Sequence, residues 1–312
     1  MTLLSSIALD LVAITLVYLA LPQFLAALPP RPQFLCKSAL MLFMVAVTSF
    51  LGCAVSIVYA LLNRRSEINF VVSRLYTKLT ARPCGVSFKV SGEHYLEDQR
   101  AVVVCNHQST LDLMVIGKVF PKHCVVMAKK ELLYVPLLGL YMKLSNAIFV
   151  DRKNHKKAIE SSTHAVADMK KRNSGIWIFP EGTRSRLDTA DLLPFKKGAF
   201  HLAIQSQYPI IPIVSEAYSH IYDSSRRLFP GGELEIRVLE PIPTTGMTTS
   251  DVNELMEKTR EVMLKHLKEM DALRTSSSTL AKKELIQTAV SSAVALGDEG
   301  TEILKKRTAA SQ

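Results

Sequence analysis

The chain has 312 residues, 48% of them hydrophobic and 21% charged, with a net charge of +10. That length accommodates one large domain with appendages around a sizeable core. The basic balance points to an anionic membrane surface or anionic substrates; zinc-finger spacing, RNA-recognition aromatics and Lys/Arg-rich blocks are all missing, which argues against nucleic acid.

Of the net +10, +1 falls in residues 1–63 and +1 in residues 275–312, leaving +8 for the stretch between. Residues 3–28 are almost wholly apolar, with Asp10 the single charge, and a second apolar run covers about Ser38 to Leu62. Each is long enough for the ~20 residues needed to cross a bilayer. With a turn at Leu28–Gln33, they read as an N-terminal two-helix membrane hairpin over residues 1–63. A hairpin embedded in one leaflet fits the same pattern. A cleaved signal peptide fits less well, because the leading segment has no Lys or Arg and too long an apolar core. Arg64, Arg65, Arg74, Lys78 and Arg82 follow the second run, against Arg31 and Lys37 in the loop. By the positive-inside bias the rest of the chain faces the cytosol.

From Phe88 onward short apolar runs alternate with amphipathic stretches. Strands are predicted at Phe88–Val90, Ala101–Cys105, Cys124–Met127, Ala147–Val150, Ile176–Phe179, Ile210–Val214 and Leu234–Val238. Helices are predicted over about 109–119, 154–172, 197–206 and 250–272. This alternation predicts an α/β domain over residues 64–274, a mixed sheet flanked by helices. Residues 275–312 open on a Thr-Ser-Ser-Ser-Thr run, lack aromatics and read as a polar, flexible tail. The five scattered cysteines (Cys36, Cys53, Cys84, Cys105, Cys124) form no C-x-x-C, arguing against a disulfide framework or zinc site and for a reducing compartment.

The chemistry concentrates at Asn106–Asp112, Asn-His-Gln-Ser-Thr-Leu-Asp. His107 falls in a strand-to-helix loop, Ser109 and Thr110 supply N-cap chemistry, and Asp112 lies in the first turns of the helix. Positions five apart on a continuous helix point about 140° away from each other, so the pair meets only if the backbone bends between them. A carboxylate holding an imidazole in one tautomer makes it a general base at neutral pH. With eight His and eleven Asp in the chain, roughly a quarter of a His-x4-Asp match is expected by chance, and the pair alone says little. Ser109 and Cys105 are alternative nucleophiles for a lipid hydrolase; the cap and the core explain them more simply. Arg152 and Arg184 each follow an apolar strand, and paired guanidiniums at one sheet edge fit a phosphate. Between them, Glu181 orients Arg184 or takes a substrate hydroxyl, Gly182 permits close backbone approach, and Thr183 and Ser185 add hydroxyls. Lys129 and Lys130, ahead of the apolar run Leu132–Tyr141, suit a membrane interface. None of the remaining histidines has metal-ligand spacing, and no metal is expected.

Four blocks in order, Asn106–Asp112, Phe149–Arg152, Phe179–Ser185 and Ile210–Val214, resemble those of the glycerolipid acyltransferase family. The resemblance is specifically to 1-acyl-glycerol-3-phosphate (lysophosphatidate) acyltransferases of the PlsC type, most of all fungal members, and covers about residues 85–240. It implies His107 as base with Asp112 as its partner. It also implies Arg152, Glu181, Gly182, Thr183, Arg184 and Lys130 as substrate-binding residues. Acyl transfer from acyl-CoA, a co-substrate rather than a cofactor, to the sn-2 hydroxyl of lysophosphatidate is the implied reaction. A sister enzyme would use another lysophospholipid or glycerol 3-phosphate. The expected partner is a lipid bilayer, that of the endoplasmic reticulum or a lipid droplet, and no nucleic acid. Asn146 departs from the family pattern, which often has Gly there.

Overall fold

A computed structural model of the chain describes residues 3–97, 100–150, 165–277 and 279–280. It divides into two compact units, Met1–Leu267 and Lys268–Gln312, and the sheet and its loops lie in the first. The apolar runs form seven strands: β1 (Val86–Ser91), β2 (Val102–Cys105), β3 (Cys124–Lys129), β4 (Ile148–Val150), β5 (Gly175–Ile178), β6 (Ile210–Ser215) and β7 (Gly232–Val238). They make one sheet in the order β1-β7-β6-β2-β5-β3-β4. From β6 through β4 every pair is parallel, whereas β7 runs antiparallel to β6 and carries β1 parallel to itself. The sheet is mixed and flanked by helices. Every residue of central β2 is buried, as a strand covered on both faces requires, while edge strand β1 alternates.

The first helices are α1 (Leu3–Ala26), α2 (Pro30–Leu61), α3 (Ile68–Cys84) and α4 (Asp112–Val119). Further along are α5 (Leu138–Leu144), α6 (described over 165–171) and α7 (Gly198–Ser206). Helices α3 and α4 pack closely because Gly117 has no side chain: a Cβ there would lie 2.1 Å from both Ser73 O and Thr77 Oγ1. Val103, Cys105, Met114, Val119, Phe120, Trp177, Ile211 and Ile213 form the core on that side, and α7 packs against β2. The last helix starts at 252, behind a capping box in which Thr248 and Asp251 exchange side-chain and backbone bonds. It runs on to 277, three residues into the stretch read as tail; 281–312 lie outside the described residues. Helices α3 and α5 have no counterpart among the expected elements. In α3, Arg74, Lys78, Arg82 and Pro83 dilute the apolar periodicity.

The N-terminal apolar segments are both helical, but the turn between them is only 27–29, shorter than expected. Lys37 is therefore not a loop cation. It lies within α2, 1% exposed, and its Nζ donates to the carbonyls of Phe229 and Pro230 at 3.0 Å each. Helix α2 buries Lys37, Met41, Ser49, Gly52 and Ser56 on one side and exposes Leu35, Leu42, Phe43, Phe50, Ile57 and Val58 on the other. Among the described residues, α2 is the one helix long and apolar enough to cross a membrane.

Candidate active site

Because β6, β2, β5, β3 and β4 run parallel, the loops leaving their C-terminal ends gather at one edge of the sheet. The three central loops are laced together by main-chain and amide bonds. Ser185 N donates to His107 O at 2.7 Å and Arg186 N to Gln108 O at 3.3 Å, joining the loops after β5 and β2. Asn106 Nδ2 donates to Ser215 O while Asn106 Oδ1 accepts from Ser215 N, both at 2.9 Å, and Gln108 Nε2 donates to Glu216 O at 2.7 Å. These bonds tie the end of β6 to the same loop. Phe179, at the end of β5, stacks on the His107 ring with centroids 4.0 Å apart.

The bend required between His107 and Asp112 is present. Helix α4 begins at Asp112 itself, and the chain turns back over residues 107–111. His107 Nδ1 lies 2.7 Å from Asp112 Oδ2, and the same oxygen accepts from Gln108 N at 2.7 Å and Ser109 N at 3.0 Å. Asp112 thus reaches backward over its own turn and holds the loop that carries His107. Ser109 does not cap the helix. Leu111 stands at the N-cap position with no side-chain cap bond, and Ser109 Oγ accepts from Leu111 N at 3.0 Å. A carboxylate at Nδ1 places the ring proton there, which leaves the Nε2 lone pair available; Nε2 makes no hydrogen bond among the described residues. The His107 side chain is 20% exposed, and that of Asp112 3%.

Glu181 is buried. One of its oxygens accepts from His107 N at 2.7 Å and the other from Leu193 N at 3.0 Å. Burial raises its carboxyl above the ordinary range, and the two amides pull it partly back. Glu181 makes no bond to Arg184 among the described residues; Thr183 and Arg184 are exposed, and Arg184 has no ion pair there. Gly182 has φ +70°, a left-handed conformation that favours glycine, and the Lys196 side chain lies across it. Lys129 and Lys130 are exposed where β3 ends. Arg152, two positions after β4, lies outside the described residues. Asn146 has φ +62°, a left-handed conformation that Asn tolerates better than most residues, so the substitution for Gly leaves the turn before β4 intact.

The acyltransferase family model matches residues 87–216, a span that includes β2, β5, β6 and the loops after β2 and β5. An uncharacterised acyltransferase of Schizosaccharomyces pombe is 42% identical over 228 residues, 73% of this chain and 82% of that protein. The 1-acyl-sn-glycerol-3-phosphate acyltransferase of Saccharomyces cerevisiae is 37% identical over 234 residues, 75% of this chain and 77% of that protein. The chain belongs to the 1-acyl-sn-glycerol-3-phosphate acyltransferase family. Its fold is similar to that of the 1-acyl-sn-glycerophosphate acyltransferase PlsC of Thermotoga maritima, with a TM-score of 0.62 at 23% identity. That likeness covers 76% of this chain and 96% of the other.

Within the acyltransferase, Tyr218 escaped the sequence reading. Its hydroxyl donates to Asp112 Oδ1 and lies 3.0 Å from Ser109 Oγ. The separation of 106 positions from Asp112 left no local signal. Cys105, beside the site in sequence, is 1% exposed, and burial pushes its thiol well up, so it is a core residue and a poor nucleophile.

Proposed function

We propose that this acyltransferase moves a fatty acyl group from acyl-CoA to the sn-2 hydroxyl of lysophosphatidate, giving phosphatidate and free CoA. The observation that carries the reading is the 2.7 Å contact of His107 Nδ1 with Asp112, made at the sheet edge with Nε2 left open. In the reaction, Nε2 takes the hydroxyl proton as the alcohol oxygen attacks the thioester carbonyl. The C–S bond then breaks, and the imidazolium returns the proton to the departing thiolate. Asp112 stabilises the imidazolium between those steps. General-base help of this kind is typically worth ~10²–10⁴ in rate.

The acceptor's phosphate is held by Arg184, with Thr183 and the Gly182 backbone beside it, and by Lys130 from the neighbouring loop and Arg152 beyond β4. Support for this is the common edge to which these strands deliver their loops, and the exposed Arg184 guanidinium with no ion-pair partner among the described residues. Glu181 stands behind the acceptor, its oxygens engaged by the amides that set the two loops.

The bilayer is reached through α1, α2 and the segment around α5. Helix α2 stays against the domain from Lys37 to Ser56, about 29 Å at 1.5 Å per residue. A helix bound along that length favours a hairpin sunk in one leaflet over one crossing both. Tyr134, Val135, Leu137 and Leu140 are exposed beside Lys129 and Lys130, the pattern of an interfacial segment. The endoplasmic reticulum, with the domain facing the cytosol, is the location this reading assigns. The test is CoA release by purified protein with oleoyl-CoA and lysophosphatidate: wild type turns over and His107→Ala does not. Turnover by His107→Ala at the wild-type rate refutes the mechanism, and preference for another lysophospholipid refutes the acceptor.

A further inference from the structure

We propose that Tyr218 is a positioning residue for the reaction, fixing the Asp112 carboxylate that in turn holds His107. The inference rests on the general-base reading above. Its basis is a set of hydrogen bonds whose directions can be assigned without ambiguity. Tyr218 has a single hydroxyl proton, and Asp112 Oδ1 can only accept, so that proton goes to the carboxylate. The Ser109 proton must then point at the Tyr218 oxygen, 3.0 Å away, because the tyrosine's one proton is already given to Asp112, while Ser109 Oγ accepts from Leu111 N. The order is Leu111 N–H to Ser109, Ser109 to Tyr218, Tyr218 to Asp112 Oδ1, with His107 Nδ1–H entering from the other side at Oδ2. Every proton in this chain of bonds is used once.

The carboxylate is thereby held from both ends. Oδ2 takes two main-chain amides and the imidazole, all from its own loop. Oδ1 takes one donor, and that donor arrives from the segment after β6. Without it the carboxylate has no bond on Oδ1 among the described residues and is held by Oδ2 alone, which leaves its terminal torsion less well fixed. Tyr218 is 1% exposed and its ring belongs to the core, so its position is set by packing and the hydroxyl is delivered to Oδ1 by the fold. Asp112 and Cys105 are the titratable groups that act on it directly, with His107 bonded to Asp112 and Glu181 acting on Cys105. Burial first, and then the Asp112 charge, push the phenol well above its ordinary value, so it stays a donor across the working range of pH.

A donor on Oδ1 also draws charge away from the oxygen that faces His107. Removing it leaves more charge on Oδ2, beside the imidazolium that forms during the reaction. Tyr218→Phe keeps the ring and deletes only the hydroxyl. The expected result is a fall in kcat of about tenfold. The acid limb of the kcat–pH profile should move upward by about half a unit or more, with KM for both substrates within about twofold. A packing defect would lower the active fraction without moving the limb. An unmoved limb, or kcat within about twofold of wild type, therefore overturns the proposal. Should Tyr218→Phe fail to fold, Ser109→Ala serves instead. It weakens the tyrosine as a donor and should shift the limb the same way by a smaller amount; no shift there also overturns it. His107→Ala, run alongside, separates the two levels. Activity surviving in that variant defeats the base assignment, whereas its loss together with an unmoved limb in Tyr218→Phe defeats only the role of the tyrosine.

Discussion

Asp112→Asn isolates the charge at the centre of the site while keeping nearly all of its geometry. With the amide oxygen in the Oδ2 position, His107, Gln108 and Ser109 keep their acceptor. The amide nitrogen then faces Tyr218, whose hydroxyl can turn to accept. What is lost is the negative charge beside the imidazolium. For charge centres ~4 Å apart at an effective dielectric of ~20, that attraction is ~4 kcal/mol. Solvent reaches a fifth of the His107 side chain, which screens the attraction to ~3 kcal/mol, or about 10² in rate. CoA release should therefore fall by about 10²-fold in kcat, with KM for acyl-CoA and lysophosphatidate nearly unchanged. Thermal unfolding of the purified variant should lie within a few degrees of wild type, because Oδ2 keeps its three donors and the Tyr218 proton can turn to Ser109 Oγ. A kcat within about threefold of wild type at that Tm would falsify the electrostatic role of Asp112.

Arg184→Ala should raise KM for lysophosphatidate by about 10–100-fold with a smaller change in kcat; an unchanged KM removes this arginine from the phosphate site. Glu181→Gln should cost about 1–3 kcal/mol and lower kcat, because both Glu181 oxygens accept from N–H groups and a Gln nitrogen would face one of them. Equilibrium denaturation with urea measures it, and a neutral substitution would mean that the two loops hold without the brace. Phe43→Asp with Phe50→Asp, each 62% exposed on the outer side of α2, should abolish most co-sedimentation with anionic vesicles, since each buried Phe is worth about 1.5–3 kcal/mol. Vesicle binding unaffected by the pair would place the membrane contact elsewhere.

Much of the fold is legible in sequence because burial is written into short apolar runs. All seven strands coincide with predicted ones, from Phe88–Val90 inside β1 to Leu234–Val238 inside β7. Short runs such as Val102–Cys105 are legible since a strand covered on both faces has no polar position to blur it. The site was legible to the extent that it is local. The His107–Asp112 pair depends on five consecutive peptide units and a helix start, and the Gly182 turn on one residue's freedom at positive φ.

What escaped was set by partners distant in the chain. The reversal of β7 against β6 leaves no trace in the apolar pattern of either strand. Lys37 read as a loop cation because a charge in an apolar helix makes sense only once the carbonyls of Phe229 and Pro230, more than 190 positions on, are seen to receive it. For Glu181 the sequence offered Arg184 or a substrate hydroxyl as partner, and it held no sign of the bonds to amides 74 positions before it and 12 after. Amino-acid order alone determined which residues can carry the chemistry and which segments lie inside, because side-chain type and periodicity are local properties. Only the tertiary structure decided that Tyr218 meets Asp112 and that the loops are laced, because a hydrogen bond depends on positions in space, and the sheet brings together residues 106 apart.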